Sequence, residues 1–293
     1  MDWKEIRLLS KFALFRKIDV FCGDVAPNFS SMCEHMFEKF GAADSQKGNF
    51  NKQMEFRKKS IKGALTHLFF PALCIQCTEP IFDQRTLLCH SCIGTLIPLD
   101  PETRCLICSA QLIDETRVCE ACRERRALLR RIVAPFAYTG APKELLDQFL
   151  SGRSSLKTIL ASYMVLQWLN LDLPFPDAIV PVAESRFITF RRGFSHSQLL
   201  AEEVAHLLER PVLTLLGRRI GDFPQRRRSF EQRKKLSTQN FFWKEPRDLS
   251  GQTILLVDDL MGSCATLRAC AEKLIEGFPE RIYGLTFCIE ELW

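Results

Sequence analysis

Apolar and polar positions divide the chain into an unpatterned part and a patterned one. Residues 1–53 mix the two kinds without a lasting period, and 41–52 is polar, with two glycines and two asparagines, so little stable structure is expected there. From Met54 the pattern changes: Ile61, Ala64, Leu65, Leu68 and Phe69 recur at helical spacing and lead to Pro71, which predicts a short docking helix. Met54 is read as the initiator, with 1–53 an upstream extension.

Further on, two periods alternate. The spacing predicts strands over 131–138, 178–182, 212–215, 253–257 and 281–289, and helices over 143–150, 156–169, 197–208 and 265–275. The helix over 197–208 is amphipathic, with Leu199, Leu200, Val204 and Leu207 on one side. Strands that alternate with helices imply an α/β fold with a doubly wound, mostly parallel sheet, and such sheets place ligands at the carboxyl ends of their strands. The expected organisation is an extension over 1–53, a docking helix and cysteine module over 54–126, and the α/β domain over 127–293.

The cysteine module interrupts both periods. Cys74, Cys77, Cys89 and Cys92, then Cys105, Cys108, Cys119 and Cys122, form four CxxC pairs. One CxxC brings two thiolates within reach of one ion, and two pairs complete the tetrahedral shell of structural Zn²⁺. A double zinc ribbon with two zinc sites is expected, its hairpins turning at 83–86 and 114–116. Disulfides are the alternative, and the spacing disfavours them. Four thiolates leave no open position for substrate, so the ribbons are assigned folding and presentation.

Composition changes this picture little. The chain has 293 residues, 46% of them hydrophobic, enough for a full-sized domain and a smaller module. A net charge of +5 is modest, so attraction to polyanions must come from local clusters. Without an apolar run of roughly 20 residues or a secretory signal, the expected location is cytoplasmic.

Two segments carry candidate chemistry. At 253–266 a hydrophobic strand runs into Asp258 and Asp259, then a small-residue loop, then a helix start. Vicinal aspartates at a strand end can accept hydrogen bonds from a sugar diol or hold Mg²⁺, and a loop facing a helix N-terminus suits phosphate. A Walker B strand looks similar, but the chain contains no GxxxxGK[ST] to hold a nucleoside triphosphate. The second segment concentrates Arg218, Arg219, Arg226, Arg227, Arg228, Arg233, Lys234 and Lys235 between Phe223, Phe230 and the aromatic run 241–243, with Arg186, Arg191 and Arg192 extending the rim. Cations interleaved with aromatics suit single-stranded nucleic acid. They equally suit pyrophosphate, and the aromatics can instead turn into the core.

The stretch 257–266 resembles the phosphoribosyl pyrophosphate (PRPP) loop of type I phosphoribosyltransferases. The order of cysteine pairs, Tyr138-Thr139-Gly140, Ile179-Val180-Pro181-Val182, Arg191-Arg192-Gly193-Phe194, Pro224-Gln225, Arg233 and that loop is similar to the ComF family over roughly 60–293. The resemblance implies a type I phosphoribosyltransferase-like domain with Asp258 and Asp259 on the ribose hydroxyls. Gly262, Ser263, Cys264, Ala265 and Thr266 would cradle the 5-phosphate. Val182, Ala183 and Glu184 would lie near pyrophosphate, Mg²⁺ would accompany PRPP, and 218–240 would form a hood over the site. Family members usually carry two threonines and a glycine where Gly262, Ser263 and Cys264 stand, and a left-handed Cys264 would cost about 1–2 kcal/mol. Ser195-His196 replaces an Asn-Gln pair, and Ser151 stands near an expected lysine. The function expected is PRPP binding with phosphoribosyl transfer to an unidentified acceptor. The alternative, also implied by the resemblance, is a non-catalytic single-stranded DNA-binding protein acting in DNA uptake and transformation, with a helicase-like partner as a third reading.

Overall fold

A computed structural model of the chain describes residues 72–81, 87–112, 116–124, 128–184, 193–219 and 240–290. The predicted docking helix, the turn at 83–86, most of the turn at 114–116 and nearly all of the basic segment lie outside them. The chain divides into two compact units between Leu96 and Ile97.

In the first unit, β1 (Ala72–Leu73) pairs antiparallel with β2 (Pro80–Ile81), and the first CxxC sits in the turn between them. Cys89 then leads into a single helical turn, α1 (His90–Ile93), which carries Cys92.

The second unit begins with the second cysteine cluster, whose last pair leads into the short α2 (Glu120–Arg123). The parallel sheet follows. Its four strands are ordered β3 (Ile132–Val133), β10 (Arg281–Leu285), β8 (Thr253–Val257) and β5 (Ala178–Pro181), and every pairing is parallel. Three of these strands resume after a short break as β4 (Phe136–Ala137), β11 (Cys288–Ile289) and β9 (Leu260–Met261), again in parallel. The α/β class with a mostly parallel sheet behind two four-cysteine clusters is therefore the one the pattern predicts.

Two of the predicted strands are divided. The strand over 131–138 breaks at Ala134-Pro135, where proline offers no N–H to the ladder. The strand over 281–289 breaks between Leu285 and Cys288, where the N–H groups of Phe287 and Cys288 both turn to the Asp259 carbonyl. The strand over 212–215 reduces to a single bridge between Val212 and Ile179, and pairing resumes as β6 (Leu216–Arg218) against β7 (Phe241–Trp243).

The helices α3 (Gly140–Leu150), α4 (Lys157–Asn170), α5 (His196–Leu208) and α6 (Ala265–Leu274) fall where the periodicity puts them. All five residues of β8 are buried, as expected of a strand covered on both faces. On one face Val180, Ile254 and Leu256 share an apolar cluster with Leu267, Cys270 and Leu274 of α6 and with Cys105 and Cys108. The alternate residues Ile179 and Leu255 point the other way, toward the layer where α5 packs on β5 and α4. The second cysteine cluster is thus part of the domain core. It also covers the sheet edge: the Ile132 N–H donates to the Ile107 carbonyl at 2.6 Å, and Ser109 Oγ donates to the Ile132 carbonyl at 2.6 Å.

Candidate functional site

The two cysteine clusters are built alike. In each, the first cysteine's carbonyl receives the N–H of the residue after the CxxC: Thr78 on Cys74 at 2.9 Å and Ser109 on Cys105 at 3.0 Å. Both of those residues adopt positive φ, 61° and 56°. A backbone N–H from the third cysteine then reaches the first sulfur, Cys89 to Cys74 at 3.3 Å and Cys119 to Cys105 at 3.4 Å. All four sulfurs of each cluster lie within 4.8 Å of one another. Cys77–Cys89 and Cys108–Cys119 are both 3.6 Å apart, close to the about 3.8 Å that Zn–S bonds of about 2.3 Å impose across a tetrahedron and far from a disulfide. Burial opposes charge on Cys74, but amides of Cys77, Cys89 and Gln76 outweigh it and hold the thiol at about 6, while burial and the neighbouring thiols push Cys92 up. Cys108 and Cys122 draw Cys105 far down, and Cys108 is driven up in exchange. Four thiols packed this closely cannot all ionise without a cation, so each cluster fits one tetrathiolate metal ion.

The carboxylates gather where strands β5 and β8 finish side by side, Pro181 opposite Val257. Asp258 and Asp259 follow β8 directly, and Val182, Ala183 and Glu184 follow β5. Asp258 Oδ1 accepts the Ser197 hydroxyl at 2.9 Å and the Asp259 N–H at 3.0 Å. Ser197 also reaches Glu184 Oε1, through its N–H at 3.1 Å and its hydroxyl at 3.2 Å. Burial, then the charges of Asp259 and Glu184, raise the Asp258 carboxyl well above the ordinary range, against the hydrogen bonds from Ser197 and the Asp259 amide. Beneath it, burial pushes the Cys270 thiol up to about 12, although the Ala183 N–H faces its sulfur. The Val182 N–H is held by the Val257 carbonyl at 2.9 Å, so that amide is engaged inside the protein.

After β9, the loop Gly262, Ser263 and Cys264 runs into α6, and all five residues from Gly262 to Thr266 keep partial access to solvent. Cys264 caps the helix in the left-handed region, with φ 59° and ψ 0°. A side chain there costs about 1–2 kcal/mol, set against a contact of Cys264 Sγ with Met261 Sδ at 3.3 Å. Cys264→Gly is therefore expected to stabilise the second unit by roughly 0.5–1 kcal/mol in urea unfolding, part of the relief being lost to the freer unfolded chain. Cys264→Ala keeps the strain and is expected to gain nothing.

Asp258, Asp259, Glu184 and the loop over 262–266 thus lie on neighbouring strand ends. Arg191, Arg192, Arg226, Arg227, Arg228 and Arg233 lie outside the described residues. Arg218, counted with the basic cluster, is 7% exposed, its guanidinium 5.6 Å from the Phe241 ring centre. Phe241 is itself core, and the Trp243 indole donates to Glu276 at 3.1 Å, so these two rings serve packing. His196 is buried between the rings of Phe149 and Phe194. Sequence reasoning missed Ser197; its only signal was a second hydroxyl two residues after Ser195, the N-cap of α5.

No protein-family model matches the chain. Over 229 residues it is 24% identical to the DNA utilization protein YhgH of Salmonella typhi, covering 75% of this chain and 98% of that one, and equally identical to the protein of the same name from Salmonella typhimurium. Among solved structures it is similar to a purine phosphoribosyltransferase from Pyrococcus horikoshii, at 17% identity and a TM-score of 0.27, over 46% of this chain and 70% of that one.

Proposed function

We propose that this chain is a ComF-like protein that binds PRPP with Mg²⁺ and transfers its phosphoribosyl group, acting in the use of DNA. The observation that carries the reading is the junction of Asp258 and Asp259 with the loop over 262–266 at one strand end. Paired carboxylates suit the ribose hydroxyls, and the N-terminus of α6, ten residues long, suits the 5-phosphate. Glu184 stands on the adjacent strand end, on the side assigned to pyrophosphate. Breaking the anomeric bond builds positive charge on the sugar, and carboxylates fixed on the rigid end of β8 are placed to stabilise it. Asp258 and Asp259 would hold Mg²⁺ on this strand end, where its charge would offset that of the leaving group. The name carried by the relatives, DNA utilization protein, supports a role connected with DNA.

A second reading, non-catalytic binding of single-stranded DNA, draws on the same name and on the strained Cys264, which stands where close approach to phosphate is expected. Calorimetry separates the two. PRPP with Mg²⁺ is expected to give binding heat with the unmodified protein and none with the double variant Asp258→Ala/Asp259→Ala. Absence of heat with the unmodified protein would remove the transferase reading. A single-stranded oligonucleotide that binds both proteins equally, with affinity falling steeply in salt, would favour the second.

A further inference from the structure

We infer that Ser197 is a positioning residue that couples the sugar half of the site to the pyrophosphate half, its single hydroxyl hydrogen serving either Asp258 or Glu184. The inference rests on the PRPP reading above.

Ser197 is 1% exposed and lies in the first turn of α5, between the ends of β5 and β8. Its Oγ stands 2.9 Å from Asp258 Oδ1 and 3.2 Å from Glu184 Oε1. A hydroxyl has one hydrogen to give, so two carboxylates compete for it. Glu184 has little else: its Oε2 is buried with no hydrogen-bond partner, and among the described residues Ser197 supplies both bonds that reach Oε1. Asp258 keeps the Asp259 N–H in any case.

The competition has a direction. Ribose hydroxyls arriving at Asp258 bring donors of their own and release the Ser197 hydrogen. The hydroxyl can then turn to Glu184 and offset part of its charge. Glu184 stands on the side assigned to pyrophosphate, where an uncompensated carboxylate repels the incoming anion. Filling the sugar half therefore favours filling the other half, and by linkage the reverse holds equally. One hydrogen bond to a charged group sets the scale, a coupling of about tenfold.

The test titrates ribose 5-phosphate into the full chain by calorimetry, with and without inorganic pyrophosphate and Mg²⁺. The unmodified protein is expected to bind ribose 5-phosphate about tenfold more tightly when pyrophosphate is present. In Ser197→Ala that ratio is expected to fall to about one, whatever happens to each affinity alone, and Ser197→Thr is expected to restore it. Should the alanine variant fail to fold by circular dichroism, Ser197→Cys keeps the volume with a weaker donor and is read in its place. The inference is overturned if the unmodified protein binds PRPP but shows no coupling, if the alanine or cysteine variant keeps the tenfold ratio, or if a folded threonine variant shows none. Failure of the unmodified protein to bind PRPP at all would instead sink the reading on which the inference rests.

Discussion

Stripping metal from the cluster of Cys105, Cys108, Cys119 and Cys122 is expected to unfold the α/β unit, whereas stripping it from Cys74, Cys77, Cys89 and Cys92 is expected to leave that unit folded. The asymmetry follows from what each cluster is packed into. Cys105 and Cys108 belong to the same apolar cluster as Val180, Leu256 and Leu274, and Ser109 and Ile107 hold both polar groups of Ile132 at the sheet edge. The first cluster lies in the other compact unit. A structural Zn²⁺ contributes about 10–16 kcal/mol of folding free energy in small zinc modules, while a whole domain is stable by about 5–15 kcal/mol. Losing the second ion thus removes an amount comparable to the entire stability of the unit. Thermal melting of Cys105→Ser and Cys74→Ser proteins, with metal content measured on each, checks this. Cys105→Ser should lose one ion and the main transition; Cys74→Ser should lose one ion and keep it. Equal melting of the two variants would contradict the assignment.

Asp258→Asn is expected to abolish PRPP binding and at the same time raise the melting temperature at neutral pH. Burial and the charges of Asp259 and Glu184 hold the Asp258 carboxyl well above its ordinary value, so ionising it costs the folded state free energy that the unfolded chain does not lose. For a group raised on folding, the stabilising contribution is complete below the unfolded pKa of about 3.9 and is lost as pH rises through the folded value. Asparagine has no proton to lose and escapes that loss. The variant's advantage should therefore be small near pH 4 and widen toward neutral pH, by about 2–4 °C for each kcal/mol in a unit of this size. A gap that narrowed with rising pH would contradict it. The destabilising charge is then a cost accepted for function.

Much of this was legible in the chain because it is written in short spacings. Four CxxC pairs fix two four-cysteine clusters, since the residues that could hold one ion lie in two tight turns. The apolar run of β8 followed by Asp258 and Asp259 marks a strand end with acceptors on it, and the resemblance to a family that usually carries glycine where Cys264 stands raised the left-handed conformation found there. The breaks in the strands were harder. Pro135 gives one of them a local signal, but the turn of the Phe287 and Cys288 amides toward the Asp259 carbonyl depends on a partner 28 and 29 residues away and has none. Phe241, legible only as aromatic, could equally have faced solvent or core.

The sequence by itself determined the α/β class, the two four-cysteine clusters and the acidic strand end, because periodicity and ligand spacing act between residues close in the chain. The tertiary structure alone decided that the second cluster belongs to the core of the α/β unit while the first does not. It also decided that Ser197 stands between Asp258 and Glu184, 61 and 13 residues away. Both outcomes arise from burial and from hydrogen bonds between segments whose meeting is set by packing, and no local pattern encodes such a meeting.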